Sequence, residues 1–221
     1  MIQLYKSRLI ILLIAFVLSG CVQFPKKSGY SKLRPLCEKD AGLTIHKTVQ
    51  AKGYFDPEGW TGFSRQIIFN KFEFVEFCTE KSSKTGPFYA SACWRVSKVD
   101  RAGGQCAEEI DQRLGRYVDE AYGEFLKNSC FSVEKIERPM SRYSYHSKYT
   151  TWSDEKNKAL FGKAKLQIKD RKDNRIIAEY TNYSFSARPG LDPFIHCGDV
   201  NKNFPSTRDK EFVNSVIFPK F

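Results

Sequence analysis

The sequence predicts an α+β fold: an antiparallel sheet, free to curve, packed against one main amphipathic helix and stapled by disulfides. Three observations predict it. The chain is 14% aromatic, with 18 Phe and 11 Tyr, and aromatic and β-branched side chains suit the pleated, half-buried surface of a strand. One stretch, 107 to 128, repeats its apolar residues at intervals of three and four. Beyond Cys21 there are six further Cys, at Cys37, Cys78, Cys93, Cys106, Cys130 and Cys197. A hydrophobic content of 41% excludes a disordered chain.

The N-terminus opens with Lys6 and Arg8, continues through an uninterrupted apolar run from Leu9 to Leu18, and reaches Leu18-Ser19-Gly20-Cys21. A basic segment, a short apolar run and small residues are the layout of a secretion signal. The run is shorter than the roughly 18 apolar residues a membrane-spanning helix needs. Leu18-Ser19-Gly20-Cys21 resembles the lipobox of bacterial prolipoproteins. That resemblance implies cleavage between Gly20 and Cys21 and a thioether-linked diacylglycerol on Cys21, joined by a third acyl chain. It implies a membrane anchored through lipid, since two or more acyl chains hold a protein stably. Val22, where an inner-membrane retention signal would have Asp, is similar to the default route to the outer membrane, facing the periplasm. The expected organisation is therefore a signal peptide over 1–20, a lipidated Cys and flexible basic tether over 21–36, and a single globular domain over 37–221. Pro, Gly and Ser scattered among four basic residues between 22 and 36 suggest the tether. About 185 residues then remain, enough to bury a substantial core.

Along that domain, residues 44–55 read as a first strand ending at the turn signal Asp56-Pro57-Glu58-Gly59. From Phe63 to Phe77 the density of Phe, Ile and Val predicts one long or two shorter strands. A turn at residues 82–87 leads into a return strand from Tyr89 to Val99. The helix over 107–128 follows, with Ile110, Leu114, Tyr117, Val118, Ala121, Tyr122, Phe125 and Leu126 on one stripe. Glu108 and Glu109 suit its positive end and Lys127 its negative one. Strands resume at Phe131 to Glu137, Tyr143 to Trp152, Ala159 to Lys169 and Arg175 to Ala187. The last two meet in a polar turn at 170–174, giving one core face with Leu166, Ile168, Ile176 and Ala178 and one basic face with Lys169 and Arg175. Phe212 to Phe218 reads as a short closing strand or a segment draped over the sheet.

Six Cys in an exported chain read as disulfides. They allow fifteen complete pairings, and geometry argues for one pair. Cys78 and Cys93 stand nearly opposite in the hairpin that turns at 82–87, where strand spacing suits a bridge. Cys106 and Cys130 bracket the helix, so each pairs elsewhere or the two join across its ends.

Few constellations carry chemistry. His196-Cys197-Gly198-Asp199 gathers nucleophilic and ligating residue types, but its spacing fits no catalytic signature and Cys197 completes the even set of Cys. His46 and His146 are isolated in strand-like stretches. There is no Cys-x-x-Cys, Gly-x-Ser-x-Gly or His-Glu-x-x-His. Asp170, Asp173 and Asn174 share a loop, yet the adjacent Arg171 and Lys172 would repel calcium. No catalytic residue, metal or cofactor is therefore assigned.

Charge is the stronger signal. Without Lys6 and Arg8 the chain holds 34 basic and 25 acidic residues, a net charge of about +9. Between Lys127 and Arg175 there are thirteen Lys and Arg against six Asp and Glu, interleaved with Tyr143, Tyr145, Tyr149 and Trp152. Such a surface attracts anionic lipid headgroups, phosphates or acidic glycans, although Lys and Arg also keep exposed strands soluble and discourage edge pairing. The expected function is a non-enzymatic envelope lipoprotein engaging a partner protein or an anionic envelope component through Lys165, Lys169, Arg171, Lys172 and Arg175. An enzyme acting on an envelope polymer is the alternative. The compartment makes nucleic acid an unlikely partner.

Overall fold

The computed structural model describes residues 24–57, 63–69, 71–79, 88, 91–110, 120–154, 159–187, 190, 193–201, 204 and 209–220. The expected signal segment, the expected cleavage site at Gly20 and Cys21, the expected hairpin turn at 82–87 and the middle of the 107–128 stretch lie outside these.

The strands are β1 (Gly42–Ile45), β2 (Val49–Ala51), β3 (Gly53–Phe55), β4 (Phe74–Thr79), β5 (Ala92–Asp100), β6 (Ser129–Ile136), β7 (Tyr143–Asp154), β8 (Ala159–Asp170), β9 (Arg175–Ser186), β10 (Ile195–His196) and β11 (Ile217–Pro219). The helices are α1 (Phe24–Asp40), α2 (Phe63–Ile68), α3 (Glu120–Asn128), the single turn α4 (Cys197–Val200) and α5 (Asp209–Val216). The main sheet has the order β1-β9-β8-β7-β3-β4-β5-β6, with β10 also on β9, and β11 pairs β2 separately. The fold is thus α+β with a mostly antiparallel, mixed sheet: β3 runs parallel to both β4 and β7, and β11 parallel to β2. A wholly antiparallel sheet was expected. The parallel pairs arise because the 42–55 stretch breaks at Lys52 and around His46 into three short strands rather than continuing as one. Beside the Lys52 break Gly53 is required, since a Cβ there would run into the carbonyl oxygen and ring of Phe74.

The described residues gather into two compact units, those within 1–42, 149–164 and 181–205 in the first and those within 43–148, 165–180 and 206–221 in the second. In the first, α1 covers the ends of β7, β8 and β9. Leu33, Cys37, Ala159, Phe161, Tyr183, Phe185 and Cys197 form its buried core, and Cys37 is bonded to Cys197. Gly29 lets α1 lie close to Phe185 and Ile195. The tether expected over 21–36 is corrected here: the chain is helical from Phe24, and Leu33 is fully buried. Gly29, Leu33, Leu36 and Cys37 recur at helical spacing, which outweighs Pro35 inside the helix. Asp40 ends α1, where the helix dipole disfavours a carboxylate. Burial pushes its pKa up, but hydrogen bonds from Lys163 Nζ (3.0 Å) and Tyr183 Oη (2.8 Å) outweigh this and hold it below its usual value.

In the second unit, β4, β5 and β6 form an antiparallel meander whose buried side chains include Val75, Phe77, Val96 and Phe131. Edge-on contacts link Phe77, Phe88 and Trp94. Cys78 and Cys93 are paired in register and bonded, as the hairpin geometry requires. Cys106 and Cys130 are also bonded, the second of the two alternatives for them. Phe212 of α5 lies between Tyr145 and Tyr180, with ring centroids 6.5 and 6.3 Å away.

Two expectations are corrected in this unit, the second only in part. Residues 63–68 are helical, because Phe63, Ile67 and Ile68 also fit a helical stripe and the strand starts only after Phe72 closes back on Gln66 through a backbone bond. Residues 209–216 are helical before the short strand β11, with Phe212, Val213 and Val216 buried at helical spacing. The single main helix gives way to several helices, of which α3 is the described C-terminal part of the 107–128 stretch and 108–110 a helical turn.

Candidate anionic-partner surface

The basic residues singled out by sequence lie on β8, on β9 and in the turn between them, all in the second unit. The turn is closed by carboxylates of its own. Asp173 accepts from the Arg175 N–H (3.2 Å), Asp170 accepts from the Lys172 N–H (3.1 Å), and Asn174 takes the left-handed conformation, φ 53°, which Asn tolerates in turns.

Asp170 is buried, and Arg142 grips it through two nitrogens, Nε at 3.1 Å and Nη2 at 2.8 Å. Those hydrogen bonds hold the Asp170 carboxyl below its usual range although burial pushes it up, and Asp170 in turn raises Arg142. Arg171 donates Nη1 to the carbonyls of Pro139 (3.0 Å) and Ser141 (2.6 Å), and its guanidinium lies over the Phe55 ring. From the other side, fully buried Glu76 accepts from the Met140 and Ser141 N–H groups and the Ser141 hydroxyl while pairing with Arg95 at 2.6 Å. The 139–142 segment is therefore fixed by Glu76, Arg171 and Asp170 together, and it presents Met140, 66% exposed, beside the basic turn.

The five candidates consequently differ. Lys165 is paired with Glu179 (2.9 Å), which also accepts from Gln167, so this part of the strand face is not purely basic. Arg175 is held loosely by Asp173 at 3.6 Å. Arg171 keeps its charge but uses it to brace the fold. Among the described residues, no carboxylate lies within ion-pair distance of the Lys169 or Lys172 ammonium groups. Arg171, Lys172 and Arg175 are exposed and Lys169 is half-buried. Across Arg142, Lys169, Asp170, Arg171, Lys172, Asp173 and Arg175 five cations meet two carboxylates, so the turn carries a local surplus of three positive charges. Sequence reasoning identified the charges but missed the Glu76 and Arg142 contacts that stiffen their base. The buried run around Glu76, flanked by Val75 and Phe77, was the available signal, since an acid among core residues needs a partner.

The other residues considered for chemistry do not converge. Cys197 is in a disulfide, and the His196 N–H is capped by Asp199 at 2.8 Å, so this tetrapeptide starts a helical turn. His46 is exposed, and His146 Nε2 meets the Ser144 hydroxyl at 2.8 Å. Among the described residues no three His, Cys, Asp or Glu side chains cluster as metal ligands, and no described helix is long and apolar enough to cross a membrane. No protein-family profile matches the chain, and neither a curated protein nor a solved structure matches it.

Proposed function

We propose that the protein is a lipid-anchored envelope lipoprotein, held at the outer membrane through Cys21, that engages an anionic envelope component through the turn joining β8 and β9. The observation that carries this reading is the surplus of cations on an exposed turn whose base is braced by Glu76, Asp170 and Arg171. A fixed array of ammonium and guanidinium groups attracts phosphate or carboxylate without paying for loop ordering on contact. A binding module needs no catalytic group, and the reading assigns none. It also keeps 107–128 as one amphipathic helix.

The test separates charge from fold. Lys165 and Arg171 are left alone because they hold Glu179 and the 139–142 carbonyls. The triple variant Lys169→Glu/Lys172→Glu/Arg175→Glu should keep its circular dichroism spectrum and lose at least about tenfold in binding to vesicles containing phosphatidylglycerol or to lipopolysaccharide, a surface Lys or Arg being worth about 1 kcal/mol there. Binding that is saturable in the parent and unchanged in the folded variant would refute the proposed surface.

A further inference from the structure

A cleft of about 730 Å³ opens elsewhere in the second unit, between α2, α3 and the start of β4. Its floor is apolar: Ile67 and Phe72 are buried, with Ile68 and Phe125 beside them and Phe69, 47% exposed, at the lip. Phe125 stacks on Phe131 at 4.9 Å, so the floor is rigid aromatic structure rather than a loose side chain. The volume falls within the roughly 300–1,000 Å³ typical of small-ligand sites.

Four charged side chains ring this floor, Lys71, Glu73, Lys98 and Glu124. Their formal charges cancel, but their engagements do not. Glu73 is paired with Lys52 at 3.0 Å and Glu124 with Lys127 at 2.6 Å, two lysines outside the lining. Among the described residues neither Lys71 nor Lys98 has a carboxylate within ion-pair distance. Both lysines line the cleft and are solvent-exposed, with no described carboxylate close enough to neutralise them. Lys98 is positioned by its backbone N–H, which donates to the Glu73 carbonyl at 2.8 Å, and its ammonium sits 6.0 Å above the Phe125 ring. Lys71 holds the left-handed conformation, φ 63°, a backbone state disfavoured for a non-glycine residue.

We infer that this cleft binds a single-chain anionic amphiphile, an aliphatic tail on the Ile67, Ile68, Phe72 and Phe125 floor with a carboxylate or phosphate head between Lys71 and Lys98. This site is separate from the basic turn and does not depend on it. A wholly apolar ligand would leave the two cations without a counter-charge, and a small anion would leave the floor uncovered. The amphiphile satisfies both.

Decanoate titrated calorimetrically below its micellar range into the full chain carrying Cys21→Ser, which removes any acyl chains of its own, is the direct test. One saturable site is expected. Decanol should bind at least about tenfold more weakly, and the Lys71→Gln/Lys98→Gln variant should lose at least about tenfold for decanoate with its melting temperature unchanged, because each change removes a charge-assisted hydrogen bond between head and ammonium. Lys98→Arg should retain uptake. The inference is overturned by the absence of saturable decanoate uptake, by equal affinity for decanol, by an unchanged affinity in the folded double variant, or by binding to phosphatidylglycerol vesicles alone.

Discussion

Asp170 shows how a single carboxylate couples this fold to pH. Its side chain is 2% exposed and accepts from Arg142 Nε and Nη2 and from the Lys172 N–H. Because Arg142 holds its pKa below the ordinary value, the folded state favours the ionised form more than the unfolded chain does. The associated stability is present above the unfolded pKa, about 3.9, and is lost as pH falls through the lower folded pKa. Asp170→Asn should therefore lower the melting temperature at pH 7 and flatten its decline below pH 4; a variant that declines as steeply as the parent would show that Asp170 does not carry this dependence. At this scale the sequence was informative about kind and silent about partner. Arg171 was visible as one more cation, yet its bonds to the Pro139 and Ser141 carbonyls depend on segments thirty residues apart meeting.

Elements were readable where one periodicity dominated. The ends of β7, β8 and β9 lie within two residues of the positions their alternation and turn residues indicate. Reading failed at α2 and α5, where Phe, Ile and Val satisfied strand and helix patterns alike, and at α1, where Pro35 and a run of cations masked the Gly29, Leu33, Leu36, Cys37 spacing. The cleft was invisible for another reason: its lining comes from 67–69, 71–73, Lys98, Glu124, Phe125, Asn128 and Ser129, brought together only by the pairing of β4, β5 and β6. Among elements tied by sulfur, the separations are 160 residues for Cys37–Cys197, 24 for Cys106–Cys130 and 15 for Cys78–Cys93. Chain-entropy scaling makes the longest loop worth about 2 kcal/mol more than the shortest. Urea denaturation of Cys37→Ala/Cys197→Ala and Cys78→Ala/Cys93→Ala should rank them in that order, and the reverse ranking would show that local packing, not loop length, sets their worth.

For the whole molecule, the proposed address and the net charge act together. Acyl chains on Cys21 would hold the protein at a membrane, and a mature chain near +9 would favour anionic surfaces within a Debye length, about 8 Å at physiological salt. Cys21→Ser should move the protein from the membrane fraction to the soluble one at high salt, where charge is screened and lipid anchoring is not. Retention of the variant at high salt would disprove anchoring through Cys21.

The three bridges are nested, the outer one joining the first and last of the six thiols and the inner two joining neighbours. A chain entering an oxidising space N-terminus first meets Cys78 as the next thiol after Cys37, long before Cys197 arrives. Sequential oxidation in order of arrival would trap the wrong couple, so maturation requires either a delay at Cys37 or thiol–disulfide exchange after the chain is complete. The seventh thiol, at Cys21, would add a competitor to that exchange. Its conversion to a thioether would withdraw it, so that the modification proposed for anchoring would also leave an even number of sulfurs to be matched.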